Sequence, residues 1–549
     1  MGRRQDDLER YSAPDYDAYV YELRGRQDAS SGDKPSEGAP PVSDIQEELR
    51  KRASKRLMSL DALRGINMLC IIGLASLITC ICNMTLEDFR VIGDRAFEWA
   101  SAFRRAWPGP APETIAKHMT HVEWNGLLHH DTIFPLFLFL AGVSFPFSLY
   151  KQRANGRKTW RILLKILWRG FALVLLGIIY SNKVVFDFEH MRFMGVLQHI
   201  GLAWMFAALI FWPLADKTKT LLAVVAFILV SYWALVALVP APDVASREAF
   251  SAQAFTQRGK EMFKPQTPYM TAEQIALVEK GAEVSLPKHN PILEDNPLPD
   301  FAAPDYPEIG SVAHNLLPEG CVVNYLDRLL VPGKLYRQPL KWNGKELKRS
   351  EIKEYDPELF RNLRDPEGLA STWPAIATAL LGMIFGGVLR REDSVCSKLR
   401  KVAVLLLGGV LLLAFGCAWN IVFPVNKNLW NSTFVCLVGG YSAIVLALFY
   451  LVIDVFRLRW LGFPFAVIGM NSITIFVARR VVDFSNMRDF FFADFIDRFI
   501  PSSRTIIVDG AEVALETAVF TQAATYLASL VISWLFVFWL YRHKIFMRV

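Results

Sequence analysis

The stretch from His121 to Tyr150, HVEWNGLLHHDTIFPLFLFLAGVSFPFSLY, opens with His121, Glu123, Asn125, His129, His130 and Asp131 and continues as an apolar run. A neutral imidazole near pH 7 takes a proton from an amine or hydroxyl and returns it to a leaving group. His121 is a candidate for that role, and Asp131 or another carboxylate for orienting the ring. A lone histidine in a loop is more often a surface residue, so spacing alone leaves the function open. As a metal site the HHD triplet is poor. Its two histidines are adjacent, no partner cluster accompanies them, and no metal is expected.

Ionisable groups inside or at the rim of apolar spans are costly and point to function by default. Asp61 and Arg64 are three apart and share a helix face. They form either a structural ion pair or a contact to an anionic cofactor entering from the cytoplasm. Arg169 falls within the third apolar run. Asn426, Lys427 and Asn428, followed by Trp430, belong to an external mouth or to a helix cap. Asn471, inside the ninth run, bonds across helices or serves a site.

These groups need a scaffold, and 549 residues, 53% of them hydrophobic, supply one. The apolar runs reach roughly 20 residues, enough to cross about 30 Å of hydrocarbon. The fold class expected is all-α, a polytopic membrane protein of about ten spans near 62–84, 132–150, 162–181, 194–214, 219–240, 371–390, 402–422, 431–454, 461–479 and 520–541. Lys and Arg concentrate before the first span, in alternate loops, and after the last. By the positive-inside rule both termini are then cytoplasmic, with His121, Asp131 and a large 241–370 loop external. Arg479 and Arg480 are the main exception. The net charge of +7 therefore reads as a topology signal, and nucleic acid is not expected as a partner. Residues 1–50 are expected to be a disordered cytoplasmic tail without a cleavable signal, and 51–549 one transmembrane domain with external insertions near 85–120, 241–370 and 480–519. NYLDRLLVPGKLY, within the long insertion, should pack onto the bundle. The seven cysteines show no CxxC or zinc spacing; Cys80 and Cys82 are read as packing residues. Gly382 and Gly386, at GxxxG spacing, favour close helix contact within the bundle over a dimer seam.

Several blocks carry a resemblance. RLMSLDALRGI (56–66), HVEWNGLLHHDTIFPLFLFLAGVS (121–144), GVLQHIGLAW (195–204), NYLDRLLVPGKLY (324–336), DPEGLASTWPAIATALLG (365–382), PVNKNLW (424–430) and PFAVIGMNS (464–472) occur in this order. Together they resemble the heparan-α-glucosaminide N-acetyltransferase family and its bacterial relatives. PVNKNLW and the H-x-x-W-N-G block are the most specific. The resemblance implies a membrane-bound enzyme that takes acetyl-CoA from the cytoplasmic side and acetylates an amino sugar on the other side. It matches the family's catalytic histidine to His121. On the matched blocks, Trp124, Asn125, Asp365, Glu367, Asn426, Lys427, Asn428, Trp430 and Asn471 are expected to bind the acceptor. Asp61, Arg64, Arg169 and Gln198 are expected to hold the donor. The sequence departs at Ala75, where animal members carry asparagine, in a longer loop before His121, and at His199, where an arginine is usual. A separate N-terminal luminal domain like the animal enzyme's is not expected. These departures favour a bacterial inner-membrane relative acting on a cell-envelope or imported glycan, with homodimerisation resting on the resemblance alone. Two rival readings are a glycan or lipid-linked substrate transporter and an O-acyltransferase acting on a hydroxyl.

Overall fold

The computed structural model describes residues 57–182, 190–242, 310–336, 363–390, 395–508 and 511–547, with scattered positions between them. The tail at 1–50 and most of the 241–370 insertion lie outside the described residues. Among those described, the protein is a helical membrane bundle with two small antiparallel hairpins, β1–β2 (Lys341–Trp342, Lys345–Glu346) and β3–β4 (Ser503–Val508, Ala511–Glu516).

The spans in chain order begin with α1 (Met58–Leu69) and α2 (Ala75–Cys82), joined by a wider turn over Cys70–Leu74. Short helices α3 (Leu86–Ile92), α4 (Asp94–Ala106) and α5 (Pro112–His118) precede α6 (His129–Ala154), α7 (Thr159–Asn182), α8 (Val196–Leu214) and α9 (Thr218–Leu238). Then follow α10 (Val312–Asn315), α11 (Val322–Leu330), α12 (Thr372–Arg390), α13 (Val395–Asn420) and α14 (Ser432–Phe449). The chain closes with α15 (Arg459–Met470), α16 (Ser472–Val481), α17 (Phe484–Phe499) and α18 (Val519–Arg542). Among the described residues nine helices are long and apolar enough to cross a membrane, and the α15–α16 pair makes a tenth if counted as one span. Helices are the expected solution, because each satisfies its own backbone hydrogen bonds away from water.

Two details differ from the periodicity. The second span starts at His129 rather than 132, because Asp131 caps its own helix, accepting from the Leu128 N–H at 3.1 Å. His129, His130 and Asp131 thereby become its first turn. The span expected over 461–479 is bent by 54° at Asn471. The first span is also interrupted, at Gly73 (φ 145°), and Arg479 of α16 donates to the Ile72 carbonyl beside that break.

Small residues set the closest approaches. A Cβ on Gly382 or Gly386 of α12 would come within 2.1 or 2.3 Å of the Phe139 or Val143 carbonyl oxygen of α6, and Gly142 answers from the other side. The GxxxG pair therefore forms a seam inside the bundle. Gly65 of α1 and Gly469 of α15 interlock against Phe465 and Asp61 in the same way. The basic loops meet at one end of the bundle. Arg153 donates to the Trp212 carbonyl at 2.8 Å, and the Arg390 guanidinium lies 3.4 Å from the Tyr150 ring centroid. At the other end α11 packs onto α9 through Cys321, Val322, Val323, Tyr232 and Val236, as expected for NYLDRLLVPGKLY.

Candidate functional site

The loop before α6 and the PVNKNLW loop before α14 meet at the end opposite the basic loops. Asn426 donates to the Asn125 side-chain oxygen (3.2 Å), Asn428 to the Glu123 carbonyl (2.9 Å), and the Gly126 N–H to the Val425 carbonyl (2.8 Å). These contacts bring Lys427 to His121. The His121 Nδ1 lies 2.7 Å from Asp131 Oδ1, and Lys427 Nζ is 2.9 Å from that nitrogen and 3.2 Å from the same oxygen. Asp131 is fully buried, and its other oxygen accepts from the Val122 and Leu128 N–H groups. The tautomer that uses the short contact donates Nδ1–H to Asp131, while Lys427 donates to the shared oxygen. Nε2 is then left as the proton acceptor on a side chain 56% exposed. The His130 ring stands edge-on at 4.6 Å.

Trp124 flanks this cluster. Its indole donates to the Leu316 carbonyl (2.9 Å) beneath the Arg364 guanidinium. Trp430, by contrast, is buried below the mouth and donates to Thr378 Oγ1 at 3.1 Å. It packs against Phe134 and His199.

The residues expected to hold a donor are not beside His121. Arg64 lies within α1, 3.5 Å from Asp61, and donates to Ser144 Oγ (2.5 Å) and the Leu140 carbonyl (3.0 Å) near the middle of α6. Arg169, stacked 4.4 Å over Trp204, has Arg64 as its charged neighbour, and its buried Nε has no partner among the described residues. Gln198 is buried against Gly177 and Gly195 instead, and Asn471 stands at the α15–α16 bend. The structure therefore separates the proton-handling cluster at the mouth from Arg64 and Arg169, which lie about midway along the spans.

Asp365 and Glu367 both bind Arg192, a residue the sequence reading missed. Arg192 donates to Asp365 Oδ1 (2.8 Å) and Oδ2 (3.3 Å) and to Glu367 Oε2 (2.8 Å). The Tyr336 N–H adds a bond to Asp365. The one signal available was an arginine standing outside the basic loops, just before the GVLQH block. Nearby, Asp327 accepts from the Ala370 N–H (3.1 Å), and its second oxygen is buried without a partner among the described residues. Burial pushes the Asp327 carboxyl up to about 7 and the Asp365 carboxyl, beside Glu367, to about 6. Both lie above the ordinary value of about 4 for an unfolded chain. The folded protein therefore binds more protons between these limits. The stability linked to them is complete below about pH 4 and is lost as pH rises through 6 and 7. Asp327→Asn is expected to lose less thermal stability in detergent between pH 5 and pH 8 than the wild type. An unchanged slope would exclude Asp327 as the titrating group.

Comparison with known proteins agrees with the sequence motifs. Residues 112–268, which include His121 and Asp131, match the family model described as heparan-alpha-glucosaminide N-acetyltransferase, catalytic. The mouse heparan-alpha-glucosaminide N-acetyltransferase is 26% identical over 458 residues, covering 82% of this chain and 57% of its own length. The human protein of the same name is 27% identical over 383 residues, covering 67% and 49%. The chain thus spans about half the length of the curated relatives it matches.

Proposed function

Because the chain is related to the heparan-alpha-glucosaminide N-acetyltransferase family, we propose that it is a transmembrane acetyltransferase. It takes the acetyl group from acetyl-CoA at the basic, cytoplasmic end and delivers it to the amine of an amino sugar or glycan at the His121 end. The observation that carries this reading is the His121–Asp131–Lys427 cluster. Its geometry leaves one imidazole nitrogen as a base at an accessible mouth, with a buried carboxylate fixing the other.

The phosphates of CoA are too charged for the bilayer core, so they stay at the end where the basic loops meet. Arg169, whose Nε has no partner among the described residues, and its neighbour Arg64 lie further in, about midway along the spans, where the arm would pass. The pantetheine arm then reaches through the bundle. His121 Nε2 accepts the proton of the acceptor amine as its nitrogen attacks the thioester carbon, and the sulfur leaves and takes that proton back. Asp131 holds the ring and stabilises the transient imidazolium, while Lys427 restrains Asp131. A transient acetyl-histidine is the other route for the same residues.

The two interrupted spans, α1–α2 and α15–α16, are features that substrate transporters also show, and they favour transport as the rival. The test is acetyl-CoA binding and CoA release by detergent-purified protein, with glucosamine, a hydroxyl sugar or nothing added. Glucosamine-stimulated release is expected. Stimulation by the hydroxyl sugar alone would move the reading to an O-acyltransferase, and no binding of acetyl-CoA would move it to the transporter.

A further inference from the structure

The insertion over 85–120 carries an aromatic stripe that the acyl-transfer site does not use. Trp99 and Phe103 are four residues apart in α4, and Trp107 follows at the same spacing just beyond its end, so the rings line one face. Trp99 stacks on Phe103, and Phe103 leans on Trp107, both at 5.5 Å between centroids. The three are 65, 50 and 43% exposed, so no described segment covers them. A second face, with buried Ala100 and with Phe97 beneath the Arg90 guanidinium, turns to the protein. Glu98 and Arg105 lie on a third face, away from Phe103, at 3.6 residues per turn. Three faces of one helix thus suit protein, hydrocarbon and water.

Contacts fix the height of α4 along the bundle. Arg104 donates to the Met84 carbonyl (3.0 Å), two residues past the end of α2. Asp88 of α3 accepts from Thr517 Oγ1 (2.7 Å), and Phe89 meets Phe520 edge-on at 5.4 Å at the start of α18. Arg504 of β3 donates to the Arg90 carbonyl (3.0 Å) and to Asp94 (3.2 Å). The first and last spans end at one level, where Cys80 Sγ lies 3.5 Å from the Val519 carbonyl oxygen. α4 is therefore strapped beside the ends of two membrane spans. That end is the His121 side, since His118, closing α5, accepts from the His129 N–H at 3.4 Å. Exposed Ile81 of α2 and Ile92 of α3 carry apolar surface along the chain from the first span towards the stripe.

We propose that α4 lies in the interfacial layer of the leaflet at the His121 end, its stripe among the upper acyl chains and its charged face among phospholipid headgroups. Aromatic residues concentrate in that layer, and an apolar helix face settles about 5–10 Å into it. The charge fits as well. Asp94 is already met by Arg504, which leaves Arg95 and Arg105 against Glu98 at the lipid phosphates. In water the three rings would form an apolar patch of the kind that marks an unfilled contact surface. This seat in the membrane is independent of the chemistry at His121.

The test uses the full chain in phosphatidylcholine–phosphatidylglycerol nanodiscs. Phe103→Cys and Glu98→Cys are labelled with bimane, and the unsubstituted protein, labelled alike, corrects for native thiols such as exposed Cys417. The quenchers are a nitroxide on the upper acyl chain of the lipid and iodide in the water. A helix is about 10–12 Å across with its side chains, so probes on the two faces differ in depth by most of that. The Phe103 probe is expected to emit further to the blue and to be quenched by the lipid nitroxide severalfold more strongly than the Glu98 probe. Iodide should give the reverse order. Trp99→Cys should repeat the Phe103 result and guards against a local fold defect there. Iodide reaching the stripe probes as readily as the Glu98 probe would place the stripe in water and overturn the proposal. Stripe probes shielded from both quenchers would show a covering protein surface, such as a second copy of the chain, and overturn it too. Equal lipid quenching on both faces would show an immersed helix and do the same.

Discussion

His121→Ala is expected to lower acceptor-stimulated CoA release by roughly 10²–10⁴-fold, the range over which a positioned general base contributes. CoA binding should survive, because Arg64, Arg169 and the basic loops lie away from His121 along the bundle. Asp131→Asn should be about as damaging although it adds no bulk. An asparagine presents either an acceptor or a donor to Nδ1, and the donor form turns the ring to the wrong tautomer. A buried carboxylate–histidine pair treated this way in another enzyme class lost on the order of 10⁴-fold. The amide also removes the charge that Lys427 Nζ meets at 3.2 Å. The measurement is single-turnover CoA release beside equilibrium CoA binding for both variants. Full turnover in His121→Ala would falsify the base assignment. Loss of CoA binding together with turnover would show a fold defect instead.

The second large effect is on stability. Gly386→Ala places a methyl group about where the Val143 carbonyl oxygen already sits, since the Cβ would be 2.3 Å away. Backbone cannot yield as a flexible side chain does, so α6 and α12 must separate. Overpacking of this kind costs roughly 1–3 kcal/mol. The neighbouring Gly387 has nothing within 4 Å of its Cβ position. Gly387→Ala should therefore be neutral or gain up to about 1 kcal/mol from helix propensity. Thermal unfolding of the pair in one detergent checks this. Equal melting temperatures for the two variants would show that the seam is looser than described. Because α6 carries Asp131, Gly386→Ala should also lower turnover while Gly387→Ala does not.

The spans were legible because a membrane helix declares itself by a long apolar run, and a run does not depend on its neighbours. Asp61 and Arg64 were legible for a similar reason, since a separation of three on a helix fixes proximity. His121 and Asp131 could be paired only as a guess, because the loop between them has no period. Lys427, 306 residues from His121 in the chain, could not be placed beside it by any local rule. Arg192 was missed because an arginine in a loop carries no mark of the two carboxylates it will meet. His199 was visible only as a departure from a motif. Its complete burial against Trp430 and Phe134 is a property of the packed bundle. The bend at Asn471 was hidden by hydropathy, which registers apolar length and ignores direction.

The interlock of the first span with α15, α16 and Asp454, which lies just before α15, has a consequence for biosynthesis. Ser59 N–H donates to Asp454 across 395 residues of chain, and Arg479 reaches the Ile72 carbonyl across 407. At 5–20 residues per second, the ribosome takes roughly 20–80 s to produce the partner after the first span has emerged. Through that interval the glycine groove of α1 and the open carbonyl at its break face lipid or the insertion machinery. The α15-facing side of α1 is thus among the last surfaces of the bundle to be covered, although its Arg64 can meet α6 early, and truncation before Arg479 leaves that side bare.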